Sequence, residues 1–167
     1  MEKIEKTFYW CLKLGENKEK HKGLKKLNTS DLRESEAHLK KAKSNLETMR
    51  YLYDGGKTDW VASAAFYAMY HILLALLYKL GYESRNQECT INAVEYFMKG
   101  GEISLEQEYI DMIRLAQEQE NKQDAKTVRE EYQYGTKTVM GDNLCLQIME
   151  NARRFVDRIK EVLEELK

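Results

Sequence analysis

Residues 61–80 read VASAAFYAMYHILLALLYKL and decide the fold. Drawn as a helix, this stretch carries apolar and aromatic side chains on every face, so it is either buried at the centre of a protein or crosses a membrane. Its length of 20 residues suits both arrangements. However, Asp59 and Glu83 bracket it, His71 lies within it, and no cluster of Lys or Arg stands at either end to orient a span. We therefore predict a buried central helix and no membrane partner.

The composition favours one helical domain around this stretch. The chain has 167 residues, enough for a sizeable core, and 27 basic against 28 acidic residues. The net charge of -1 gives no global attraction to nucleic acid or anionic membranes, and nothing indicates DNA specificity. Proline is absent and nine glycines punctuate the chain. We predict an all-α fold, an up-and-down bundle of four to five main helices plus a short N-terminal helix.

The pattern divides the chain into two parts. Residues 1–29 form an accessory unit, with an amphipathic helix over about residues 2–14 and a basic linker at 17–28, NKEKHKGLKKLN. Residues 30–167 form the bundle. The N-terminal helix either docks on the bundle or serves another chain. Residues 117–124 lack an apolar signal and fit either a solvated helix or a loop.

Local signals predict where the helices of the bundle begin. Asp31, with Glu34 three residues later, should cap a long first helix whose core positions start at Leu32. The central helix should be capped by Thr58 or Asp59 and should end at Gly81. Two further expectations concern later helices: Ser104 with Gln107 forms a capping box, and the last helix, from about residue 143, buries Leu144.

The three cysteines indicate free or buried thiols. Cys11, Cys89 and Cys145 are odd in number, far apart and without metal-ligand spacing. The N-terminus lacks the continuous apolar run of a signal peptide. We therefore predict a cytoplasmic protein with neither a bound metal nor a cofactor.

The sequence lacks the usual phosphate loops, metal motifs and nucleophile elbows. The remaining candidate functional residues are side chains with polar end groups in otherwise apolar segments. Tyr67 and His71 are four residues apart and share one face of the central helix. Arg129, Tyr132 and Tyr134 precede the last helix. The alternative is structural: His71 as a hydrogen-bonded core histidine and the tyrosines as interface residues.

The residues also carry a resemblance. Residues 63–82 (SAAFYAMYHILLALLYKLGY), 91–97 (INAVEYF), 128–135 (VREEYQYG) and 150–166 (ENARRFVDRIKEVLEEL) resemble the HEPN family, small helical domains of prokaryotes often encoded beside a minimal nucleotidyltransferase. The resemblance extends over about residues 31–167. It implies a bundle that homodimerises, in a family that contains RNA-cutting toxins as well as members that bind nucleotides or partner proteins.

The resemblance also implies an incomplete catalytic motif. Ribonuclease members of the family carry an arginine followed, after four to six residues, by a histidine just before the last helix. Arg129 matches the arginine, but Tyr134 stands where the histidine is expected. Arg33 and His38 match the same spacing within the first long helix, and we attribute that match to chance.

Three functions follow as hypotheses. The first, which we favour, is a nucleotide- or RNA-binding homodimer that works with a minimal nucleotidyltransferase in a toxin–antitoxin or stress-response pair. Its ligand-binding residues would be Arg129, Tyr134, Tyr132, Tyr67 and His71. The second is a metal-independent endoribonuclease toxin with catalytic residues Arg129 and His71, in which His71 acts as acid or base. The third is a structural helical assembly partner without a ligand.

Overall fold

The computed structural model describes residues 1–16, 22–124 and 141–166. Within these ranges the chain forms six α-helices and one small antiparallel sheet of two strands, which confirms the predicted all-α class. The elements in chain order are α1 (Glu2–Gly15), β1 (Leu24–Lys26), α2 (Leu32–Asp54), α3 (Val61–Lys79), β2 (Tyr82–Ser84), α4 (Gln87–Lys99), α5 (Gln107–Asp124) and α6 (Asp142–Glu165).

Helix α3 is the centre of the bundle, as its sequence predicts. It buries eleven of its nineteen residues, more than any other helix described, and packs chiefly against α2 and α6. The segment Thr58–Lys79 has the length and hydropathy of a membrane span, yet 61% of its most apolar window is buried by the protein itself. An all-round apolar surface is therefore satisfied here by neighbouring helices.

Helices α2 and α3 form an antiparallel hairpin whose ends follow local rules. The Asp31 carboxylate accepts a hydrogen bond from the Glu34 amide at 3.0 Å, which confirms the predicted cap. Deeper in the hairpin, the buried Ser35 hydroxyl donates to the Ala75 carbonyl at 2.7 Å and ties the two helices together. Gly81 follows α3 at φ +85, the left-handed conformation that glycine adopts without strain.

Two predicted caps are wrong. Residues Thr58–Trp60 form a 3₁₀ turn, so neither Thr58 nor Asp59 is the cap residue of α3; Trp60 holds that position, with no side-chain cap bond. Helix α5 begins only at Gln107, three residues after Ser104, so these two do not form a capping box. A tertiary contact also holds this turn, because Arg158 of α6 donates to the Ser104 carbonyl at 2.8 Å.

The buried stripes of two helices also differ from prediction at their first turns. Leu32 is 60% exposed and Leu144 is 52% exposed, although both were expected in the core. In α6 the buried positions begin instead at Cys145 and Met149. Further along, the buried positions follow the expected helical spacing, with Ser35, Ala42 and Met49 in α2 and Ala152, Phe155 and Ile159 in α6, so only the first turns depart from the pattern.

The N-terminal unit docks on the bundle. Phe8 is buried in α1 and stacks on Tyr96 of α4, with ring centroids 4.0 Å apart. Part of the predicted basic linker is strand β1, which pairs with β2 in the register Leu24↔Ser84.

A disulfide joins Cys11 of α1 to Cys89 of α4, so the prediction of free thiols is wrong for these two residues. Cys145 is the free cysteine of the described residues, and it is buried. The two bonded positions are 78 residues apart, and spacing alone does not reveal that α1 lies on α4.

The two alternatives for residues 117–124 are resolved in favour of a helix, since α5 continues to Asp124. The Ser63 hydroxyl donates to the Glu120 carboxylate at 2.9 Å and anchors this polar end of α5 on α3. A polar contact thus helps to hold this part of α5 on α3, where the sequence has no apolar stripe.

Candidate functional site

Two histidines meet between α2 and α3. The Nδ1 atoms of His38 and His71 are 2.9 Å apart, and the ring centroids are 5.1 Å apart with 22° between the planes. The centroid distance exceeds the nitrogen distance by about the two ring radii, so both nitrogens lie on the line between the centroids. The rings therefore meet edge to edge and nearly in one plane. This is an N–H···N hydrogen bond, in which one ring donates and the other accepts.

Both imidazoles are neutral at ordinary pH. Burial lowers the pKa of His71 to about 4, and the neighbouring His38 and Lys41 act in the same direction because each disfavours a second positive charge. Burial also lowers the pKa of His38, although Glu34 opposes that effect. A neutral pair can exchange hydrogen bonds with a ligand without bringing in a charge of its own.

Tyr78 extends this group toward the end of α3. Its ring lies 5.3 Å from that of His38, centroid to centroid, with 15° between the planes. Burial, followed by the nearby carboxylates of Glu83 and Glu34, raises the pKa of Tyr78 to about 12. The phenol therefore keeps its proton and can donate a hydrogen bond, but it is a poor base.

An open pocket of about 430 Å³ lies between α2 and the first half of α3. This volume is in the range of small-molecule sites. Its walls include Lys41, Asn45, Trp60, Ser63, Tyr67 and His71. Trp60 and Tyr67 are unusually open to solvent for large aromatic side chains, at 50% and 40%. The Asn45 Nδ2 atom is buried and has no hydrogen-bond partner in the part of the chain that the structure describes.

The ends of two further helices contact the residues around the start of α3. Glu120, near the end of α5, accepts the hydrogen bond from Ser63 in the pocket wall. Cys145, in the first turn of α6, contacts the carbonyl of Thr58 with its Sγ at 3.8 Å, two residues before Trp60. The residues that flank 125–140 on either side therefore attach to the start of α3.

Of the residues predicted from sequence, the structure places Tyr67 and His71 together in the pocket wall. Arg129, Tyr132 and Tyr134 lie outside the described residues, so their roles stay predictions.

Sequence reasoning missed His38, Lys41 and Trp60. His38 had drawn notice only through its spacing from Arg33, whereas its contact is with His71, 33 residues further along the chain. For Lys41 no local signal exists, since α2 carries lysines on several faces.

The site shows no metal-type arrangement. Among the described residues, no group of three or more His, Cys, Asp or Glu side chains could hold a metal ion. In the His38–His71 contact, the proton of one Nδ1 points at the lone pair of the other, so the two nitrogens do not converge on a shared third position.

The comparison with protein families gives one match. Residues 35–166, which include both histidines, the pocket and nearly all of α2–α6, match the model of the HEPN domain. Helix α1 and strand β1 precede the matched range. Comparison with curated proteins finds no match to the chain.

Proposed function

We propose that this chain, which belongs to the HEPN family, is a binding module that holds a nucleotide or a short stretch of single-stranded RNA. One observation carries the proposal: the exposed rings of Trp60 and Tyr67 share a pocket with Lys41 and the neutral His71. Aromatic rings stack on bases regardless of their sequence, and an ammonium group attracts phosphate. No ion pair engages Lys41 among residues 1–16, 22–124 and 141–166, which leaves its charge for a ligand.

The proposal keeps Arg129, Tyr132 and Tyr134 as further ligand-binding residues. Arginine carries a permanent charge and a planar fork that suits phosphate, and the tyrosines offer rings for stacking. The chemistry of these side chains and the resemblance carried by residues 128–135 support this assignment.

Trp60 supplies the test. The chain has two tryptophans, so the Trp10→Phe variant leaves Trp60 as the single reporter. Titration with AMP, UMP and a short RNA oligonucleotide should quench its fluorescence to saturation. Tyr67→Ala should weaken binding by roughly tenfold, since stacking of one base contributes about 1–3 kcal/mol. Lys41→Ala should weaken AMP but not adenosine.

Matched variants control for general damage. Tyr51→Ala removes an exposed tyrosine of α2 that lines a different groove, and Lys43→Ala removes an exposed lysine close to Lys41. Both should bind as the native protein does. Unquenched Trp60 with every ligand, or equal losses in the control variants, would overturn the proposal.

A metal-independent endoribonuclease is the second candidate, and the His38–His71 contact is the observation that favours it. A neutral imidazole can give or take a proton in general acid–base catalysis, while Arg129 would stabilise the charge that develops on the phosphorus oxygens. RNA cleavage in the presence of a chelator should be compared for the native chain, Arg129→Ala and Tyr134→His. Robust cleavage by the native protein that Arg129→Ala abolishes would replace the binding-only proposal. Cleavage by Tyr134→His alone would support the binding-only proposal.

We further propose that the module is a homodimer and works beside a minimal nucleotidyltransferase in a toxin–antitoxin or stress-response pair. Large apolar side chains left exposed on the monomer, among them Leu144 and Leu146 of α6, support a subunit interface. A monomer mass in light scattering at micromolar concentration would contradict the homodimer. A neighbouring nucleotidyltransferase reading frame would support the pairing.

A cytoplasmic location remains part of the proposal. Because disulfides are rare in that compartment, the Cys11–Cys89 bond would have to rely on its complete burial to resist cellular reductants. Free thiols can be blocked in intact cells, and the protein can then be unfolded, reduced and labelled at the cysteines that were bonded. The labelled fraction measures how much of the Cys11–Cys89 bond is present in the cell. A fully oxidised pool in a secreted fraction would contradict the cytoplasmic location.

A further inference from the structure

The hydrogen bond between His38 and His71 couples the protonation of the two rings. A neutral imidazole has one N–H group and one bare nitrogen. The contact at 2.9 Å holds a single proton between the two Nδ1 atoms. The ring that donates this proton has a bare Nε2, and the ring that accepts it must carry its own proton on Nε2. The two histidines are therefore in complementary tautomers.

Only one of the two rings lines the pocket. His71 belongs to the pocket wall, whereas His38 lies behind it, between His71 and Tyr78. When His38 donates, His71 has an Nε2–H group, which can donate to a ligand oxygen. When His38 accepts, the Nε2 of His71 is a bare acceptor. A phosphate oxygen, which only accepts hydrogen bonds when ionised, is compatible with the first state and is repelled in the second.

We propose that His38 is a positioning residue, which by donating its Nδ1 proton makes His71 present an Nε2–H group to the phosphate of a nucleotide in the pocket. This inference rests on the proposed binding function and specifies how the pocket selects a phosphate-bearing ligand. The exchange between states is balanced: one proton crosses between the Nδ1 atoms, one leaves His38 Nε2 for water, and one enters His71 Nε2 from water. The pair is neutral in both states.

The tautomers can be observed directly by ¹⁵N NMR of the imidazole rings. His21 is the third histidine of the chain, so the His21→Gln variant leaves signals from His38 and His71 alone. Without a ligand, protonation of the two rings should be complementary. AMP should drive His71 to the Nε2–H form and His38 to the Nδ1–H form. Adenosine, which lacks the phosphate, should leave the tautomers unchanged.

Variants at position 38 separate positioning from simple packing. His38→Leu removes the partner of His71, and AMP affinity should fall severalfold, because nothing then holds the proton of His71 on Nε2. Adenosine affinity should not change. His38→Asn places an amide near the former Nδ1, and its N–H group should restore most of the AMP affinity. The native NMR measurement decides the question if the leucine variant does not fold.

The outcomes distinguish this inference from the proposed function. If neither AMP nor RNA binds the native protein, the proposed function fails and the inference with it. If AMP binds while both rings share one tautomer, or while His71 carries its proton on Nδ1, the inference alone is overturned. Equal loss of AMP and adenosine affinity in His38→Leu and His38→Asn would likewise show that His38 only fills space.

Discussion

Cutting the disulfide between Cys11 and Cys89 should lower the free energy of unfolding by about 4.5 kcal/mol at 25 °C. The bond joins residues 78 positions apart. In the loop-closure model a cross-link of that span removes about 15 cal/mol/K of entropy from the unfolded chain. The folded state should change little, because the stacking of Phe8 on Tyr96 does not depend on the bond. The lost stability therefore comes almost entirely from the unfolded ensemble.

Urea unfolding followed by far-ultraviolet circular dichroism measures this effect in two independent ways. The oxidised native protein is compared with the same protein under excess reductant, and with the double variant Cys11→Ala, Cys89→Ala. Both should unfold at lower urea, with a larger m value, because the released chain exposes more surface on unfolding. The variant Cys145→Ala is the control, since Cys145 is free. Reductant should destabilise that control as it does the native chain, and should leave the double variant unchanged.

Losses below about 1 kcal/mol in both the reduced protein and the double variant would refute this reasoning, since a constraint of that span should contribute several times more. Such a result would mean that the unfolded chain already keeps α1 close to α4, or that the bond does not form in solution. A loss confined to the double variant would indicate damage from the substitutions at two fully buried positions.

Three further predictions test the core, a helix end and the histidine pair. Met69 of α3 is 2% exposed, so Met69→Lys would bury an unpaired charge at a cost of several kcal/mol of folding free energy. This variant should lose the helical circular dichroism signal. A soluble and fully helical Met69→Lys protein would contradict the central position of α3. Asp31→Ala removes the acceptor of the Glu34 amide and should cost about 1 kcal/mol in urea unfolding, with an unchanged midpoint refuting the cap. The pKa of His71 is about 4 in the folded chain, against 6.5 for an unperturbed imidazole, so the unfolded chain takes up a proton first as the pH falls. The free energy of unfolding should therefore decline from about pH 6.5 toward pH 4, and less steeply in His71→Gln. Identical pH profiles of the two proteins would contradict the shift.

Much of the fold could be predicted because its signals are local. The cap at Asp31 and Glu34 involves residues three apart, and Gly81 ends α3 through its own backbone freedom. The apolar surface of α3 demands burial whatever its neighbours are. Local rules fail where the helix begins at another residue: α5 starts at Gln107, so Ser104 and Gln107 do not form the expected capping box.

Local sequence patterns predicted only part of the candidate site. Tyr67 and His71 share a face of one helix by their spacing, so they could be predicted together. Their neighbours Lys41 and His38 come from α2, and which of its faces turns toward the pocket depends on how the hairpin packs.

By itself the sequence determined that this protein is helical, that residues 61–80 form its centre and that its resemblance is to the HEPN family, which the match over residues 35–166 establishes. Helix propensity, caps and apolar periodicity act within a few residues and can be read along the chain. The tertiary structure alone decided the bond between Cys11 and Cys89, the contact of His38 with His71, and the exposure of Leu32. Each of these features depends on which helices pack together and where that packing ends, so no pattern within a few residues reveals it.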